Sequence, residues 1–185
     1  MKRFIIISCA PLLFFLFSHA HKEHAVQEEV NLPSAQTKVE YPETVKLHPP
    51  AVHFAIALPL FALLLEGLYH IKGRKPDEVE FFTLLLASGA VIAASTTGYI
   101  AHESMENLPI SQQALEILHT HETVGLVLAG VFALMFLLRF IYAFKPIPMI
   151  HHLYVLLLLT GVAGLLYQGN LGGKLVYDFG LGVSR

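Results

Sequence analysis

Hydrophobic residues run through this chain in long blocks, with little strand-like alternation. A basic start, Met1-Lys2-Arg3, leads into an apolar stretch of 14 residues, Phe4 to Phe17, that closes on Ser18-His19-Ala20. This stretch falls short of the ~20 residues a spanning helix needs. Small residues stand at the positions a signal peptidase reads, so the pattern predicts a secretory signal peptide over residues 1–20. Residues 21–47 turn polar, with Lys22, Glu23, Glu28, Glu29, Lys38, Glu40 and Glu43 around Pro33 and Pro42. They show no apolar period and read as an extended extracytoplasmic leader.

Four apolar segments follow, from about Pro50 to Tyr69, Val79 to Ile100, Ser111 to Phe144 and Ile150 to Gln168. Inside lipid the backbone must satisfy its own hydrogen bonds, so each is expected to be a helix. Short connections make neighbouring helices antiparallel. The expectation is an all-α integral membrane fold, an antiparallel four-helix bundle over residues 48–183. The third segment, at ~1.5 Å per residue, exceeds the bilayer thickness. Its polar start, Ser111 to Glu122, is placed in the outer interface. Small residues at Ser88-Gly89-Ala90, Ser95-Thr96-Thr97-Gly98, Thr160-Gly161 and Ala163-Gly164 suit close helix approach.

Composition narrows the function classes. Of 185 residues, 55% are hydrophobic and 14% charged, and the mean hydropathy is +0.59. An ordinary soluble enzyme is not built this way. Lys+Arg 12 against Asp+Glu 14 offers no basic surface for nucleic acid. The only cysteine, Cys9, lies in the segment expected to be removed. Its loss leaves no disulfide, no Cys-ligated zinc, no iron–sulfur cluster and no covalent c-type haem. Neither a Gly-x-Ser-x-Gly elbow nor a phosphate-binding glycine loop is present, so the reading favours a binding or electron-transfer subunit over an enzyme. Broken-helix pairs that would mark a transport path are missing too.

Charge sets the orientation. Lys72, Arg74 and Lys75 lie between the first two segments, and Arg139 and Lys145 near the turn between the last two. The loop from Ala101 to Leu118 carries Glu103, Glu106 and Glu116 and no Lys or Arg. By the positive-inside rule the basic loops are cytoplasmic. The expected home is the bacterial inner membrane, with leader and carboxyl terminus outside.

Topology sorts the histidines into two layers. The outer layer holds His48, His53, His102, His119 and His121; the inner holds His70, His151 and His152. Three helices thus bring imidazoles to one outer level. His53, His102 and His121 each stand four residues from a small residue, Ala57, Gly98 and Gly125. Such spacing leaves room on the same helix face for a flat macrocycle, and axial imidazoles hold haem iron. The same small residues equally serve plain helix packing. His119 and His121 lie about 200° apart and cannot share a centre. His121 is preferred for Gly125 and the adjacent Glu122. His119 instead completes Glu116-x-x-His119, half of a di-iron pattern. His102 and Glu106, four apart, form a further candidate pair. In the inner layer, Glu66 within the first span is expected to pair with Arg139, or with His70 as a proton path. His70 with His151 or His152 is a weaker second centre. After cleavage, His21 with its amine and His24 would suit Cu(II) at the surface.

Several stretches carry a family resemblance. His48-Pro49-Pro50-Ala51-Val52-His53-Phe54-Ala55-Ile56-Ala57-Leu58 resembles the opening of a bacterial membrane family, domain of unknown function 2231. Gly172-Gly173-Lys174-Leu175-Val176-Tyr177-Asp178-Phe179-Gly180-Leu181-Gly182-Val183 resembles its closing pattern, and Thr97 to Glu103 and His121-Glu122 its middle elements. Ala55 and Asp178-Phe179 depart from it, standing where the family often has Pro and His. The resemblance implies a small multi-helix membrane domain in a respiratory or redox setting, and assigns no catalytic residue.

Three functions follow. The first is electron transfer through non-covalent b-type haem, with His53 and His121 as axial ligands, His102 as the alternative, and quinone or a periplasmic cytochrome as partner. The second is binding of Cu, Zn, Ni or Fe by His48, His53, His102, His119, His121, Glu103 and Glu122, since imidazole with carboxylate suits them all. The third is an anchor within an oligomer or beside a partner membrane subunit.

Overall fold

The computed structural model describes residues 43–105 and 108–182. The expected signal peptide, the leader as far as residue 42, and Glu106 lie outside the described residues, as do Cys9, His21 and His24. Among the described residues there are four helices: α1 (Glu43–Ile71), α2 (Glu78–Met105), α3 (Gln112–Phe144) and α4 (Pro148–Tyr177). All four are long and apolar enough to cross a membrane. Each packs against its chain neighbour, α1 also closes on α4, and the diagonal pairs do not pack among the described residues. That is the expected bundle.

The helices are longer than their apolar cores. α1 begins at Glu43, so Pro49 and Pro50 sit inside it rather than in its first turn, and the last stretch expected as leader is helical. α2 runs on through His102 to Met105, and α4 reaches Tyr177, well beyond Gln168. Hydropathy marks what lies in lipid; the helix continues as long as its backbone bonds are made. The start of α3 matches its reading: Ser111 caps it, its hydroxyl accepting from the Ala114 amide at 3.2 Å.

Buried and half-buried positions recur every seventh residue on each helix. The seams are His48-Ala55-Ala62-Tyr69, Glu80-Ala87-Ala94-Ala101, Leu118-Gly125-Phe132-Arg139 and Tyr154-Gly161-Gln168-Leu175. Seven-residue recurrence keeps one stripe facing the partner in left-handed bundle packing. Alanines fill the middle of the α1 seam and three of the four α2 seam positions. Lipid tails are as apolar as Leu, so close packing must supply the association. Gly161 shows how close: a Cβ there would stand 2.8 Å from the Phe132 ring. Outward faces carry large apolar residues such as Phe54, Phe61, Leu64 and Phe144, which contact the bilayer.

A middle apolar layer around Leu84, Val91, Phe132, Met135 and Leu158 separates two polar ends. At the end bearing the α1–α2 and α3–α4 turns, Arg139 is buried and its Nε donates to Glu80 Oε2. Its Nη2 donates to the Asp77 carbonyl at 2.9 Å, and its guanidinium lies over Phe81 and Tyr142. Glu66 pairs with His151, Oε1 to Nε2 at 2.6 Å. The expected Glu66–Arg139 pair is therefore replaced by two pairs. α1 and α3 stand diagonally across the bundle, so Arg139 meets neighbouring α2 and Glu66 meets neighbouring α4. His70 and His152 are exposed, and His152 Nδ1 donates to the Pro148 carbonyl at 2.7 Å. Asp77 caps α2, accepting from the Val79 and Glu80 amides at 3.0 and 3.3 Å and from the Tyr69 hydroxyl at 2.7 Å. The Tyr69 bond, foremost among these, holds its carboxyl below the usual range.

Candidate functional site: the histidine end

The opposite end of the bundle, where α1 begins and α2 meets α3, is open. A cavity of about 1080 Å³ lies among all four helices there. Its floor is the apolar middle layer, with Val91, Leu128 and Leu165. Its walls carry His48, His53, His102, His121, Glu122 and Gln168.

The seam of α1 presents His48 to α2. His48 Nδ1 lies 3.1 Å from the Ala94 carbonyl and 3.2 Å from Thr97 Oγ1. A carbonyl can only accept, so Nδ1 carries the proton and Nε2 keeps its lone pair. The ring fits because residue 98 is glycine: a Cβ on Gly98 would stand 2.8 Å from His48 Cε1. His121 faces His48 edge-on, ring centroids 6.3 Å apart. It fits against Gly172, where a Cβ would lie 3.3 Å from its Nε2. Gly125 is covered by the Gln168 amide, whose Nε2 would lie 3.1 Å from a Cβ there. Gln168 Nε2 donates to the His121 carbonyl at 2.8 Å. The space expected above Gly98 and Gly125 for a macrocycle is thus filled by His48 and Gln168.

A second group sits where α2 passes the first turns of α3. His102 is buried, and its Nε2 stands 3.1 Å from Glu122 Oε2. His119 lies three residues before Glu122 on the same face of α3, its ring centroid 5.2 Å from that of His102. One donor atom from each of His102, His119 and Glu122 falls within 4.8 Å of the others. Bonds of 2.0–2.1 Å in a tetrahedral site put donors about 3.4 Å apart. The His102–Glu122 spacing is already there. His119 is exposed, and its donor atom, within 4.8 Å of the other two, needs a shift of at most about 1.4 Å. The three residues fit a transition-metal ion, and three protein donors leave a fourth position open.

The expected residues therefore fall into separate groups. His102, His119 and Glu122 come together, and His48 with His121 forms a neighbouring pair. The 200° between His119 and His121 sends one to each. His53 lines the cavity at its exposed rim, its Nδ1 donating to the Pro49 carbonyl at 2.7 Å. Glu103 and Glu116 are exposed. Sequence reasoning passed over Gln168 and Glu80. The seven-residue seams would have found both, since each shares a stripe with buried small or apolar residues.

The four stretches that carried the family resemblance all reach this one cavity, through His48, Gly98, His121 and Gly172. A family described as "Predicted membrane protein (DUF2231)" matches residues 44–185, and the chain belongs to it. No curated protein and no solved structure matches the chain.

Proposed function

From membership of that family and the geometry of this end, we propose that the chain is a membrane metal-binding protein. A divalent ion of the Zn, Cu, Ni or Fe class would be held by His102, His119 and Glu122. The observation that carries this is the convergence of three nitrogen and oxygen donors from two helices within 4.8 Å. Imidazole and carboxylate suit these metals and disfavour Mg and Ca, which prefer all-oxygen sites. Lys72, Arg74, Lys75 and Lys145 lie in turns at the other end of the bundle. The positive-inside rule then puts the metal site on the extracytoplasmic side of a bacterial inner membrane.

Haem b is the second reading, with His53 and His121 as ligands and quinone or a periplasmic cytochrome as redox partner. The cavity volume favours it; the filling of the Gly98 and Gly125 faces by protein side chains counts against it. One preparation separates the two. Full-length protein purified gently from membranes is subjected to elemental analysis and an optical spectrum. About one equivalent of metal, lost in His102→Ala and His119→Ala but kept in His53→Ala, supports the ion site. Equal metal in all four proteins overturns it. A Soret band lost in His121→Ala would establish haem instead.

A further inference from the structure

The cavity beside the ion site has a chemistry of its own. Its volume, about 1080 Å³, is at the upper end for small-molecule sites. Two of its polar groups are fixed as acceptors. Gln168 spends its Nε2 on the His121 carbonyl, so Oε1 is the acceptor that remains, buried and without a hydrogen-bond partner among the described residues. His48 spends Nδ1–H on the Ala94 carbonyl and offers the lone pair of Nε2. Buried acceptors call for a donor, and an apolar floor calls for an apolar body. Lys46 is the wall's one Lys or Arg among the described residues and lies at the exposed rim, so nothing deep in the cavity suits a phosphate headgroup.

The cavity also reaches the α1–α4 seam, where Val52, Ile56, Leu165 and Gly169 line it. α1 and α4 make the sparsest of the four helix contacts. Gly169 on α4 leaves that seam without a side chain, and Ile56 Cδ1 lies 3.8 Å from where its Cβ would be. Gly169 is exposed and lines the cavity with Ile56, so a ligand entering along this seam would leave a long apolar tail in the bilayer.

We propose that the cavity binds a neutral, hydroxyl-bearing amphiphile of the quinol class. Its hydroxyls donate to Gln168 Oε1 and His48 Nε2, and its tail leaves between α1 and α4. The proposal goes beyond the metal reading and rests on residues outside the His102, His119 and Glu122 group.

The test is anaerobic equilibrium dialysis of the full-length chain in detergent against decylubiquinol, with decylubiquinone and dioleoyl phosphatidylethanolamine as comparison probes. Saturable binding near one equivalent is expected, with the quinone weaker by roughly tenfold because it lacks the O–H donors. Gln168→Leu should weaken quinol binding by roughly tenfold. Gly169→Leu, which narrows the seam without touching the acceptors, should weaken quinol and quinone alike. Far-UV circular dichroism and retained metal content show that each variant is folded and that the ion site is independent. No saturable binding by folded wild-type protein overturns the proposal. So does equal affinity for quinol and quinone, displacement by the phospholipid at equal concentration, or haem co-purifying in the cavity.

Discussion

The two polar ends of this bundle use the same vocabulary of His, Glu and buried seam positions, yet they do different things with it. At the arginine end each buried Arg or Glu has a side-chain partner: Arg139 with Glu80, Glu66 with His151. Aromatic rings of Phe81, Tyr142 and Tyr154 close around them. At the histidine end the imidazoles face a cavity and one another, and among the described residues no Arg lines it. A buried charge is expensive unless paired, so the first arrangement holds the fold. Lone pairs converging on open space are what a ligand needs. The arrangement of partners, more than residue type, separates scaffold from site.

The comparison can be tested from its strongest side first. Arg139→Met leaves Glu80 buried without its partner and should cost about 3–5 kcal/mol in unfolding from detergent micelles. Converting Glu80 to Met as well should recover most of the loss. If the single variant were neutral, the arginine end would not be scaffold. Next, His102→Ala should weaken Zn(II) binding at least the roughly 100-fold that loss of a supporting residue can cause. A competition titration reads this, with far-UV circular dichroism showing that the variant is folded. Gly98→Ala should come third. Overpacking of His48 costs about 2 kcal/mol and the gain in helix propensity offsets about 1, for a net loss near 1 kcal/mol by the same unfolding assay. The smallest effect lies at the α1–α2 turn. Asp77 has a carboxyl held below its usual range. Its contribution to stability is therefore full above the ordinary carboxylate range and is lost as pH falls through the lowered value. A pH series should show Asp77→Asn flattening that acidic limb, and an unchanged limb would remove Asp77 from the account.

How much of this was legible beforehand divides along the same lines. The four spans were readable because bilayer thickness dictates their length, and the start of α3 near Ser111 because polarity changes there; that the Ser111 hydroxyl caps the helix is a finding of the structure. The gathering of histidines at one level followed from topology. Partner choice did not. Depth alone matched Glu66 to Arg139, but only the order of helices around the bundle shows that α1 and α3 are diagonal. Likewise the angle between His119 and His121 said that they part, and only the packing of α2 against α3 says which one joins His102. Small residues were seen as space; the structure shows that His48 and Gln168 already occupy it.

The claim on which the rest depends is that His102, His119 and Glu122 together bind a metal ion. Cobalt(II) titration of the metal-stripped full-length chain, followed by its visible absorption, tests it most directly. The expected result is tetrahedral bands that saturate at about one equivalent, vanish in His102→Ala and His119→Ala, and persist in His53→Ala. Bands of equal intensity in His102→Ala and the unaltered protein would contradict it.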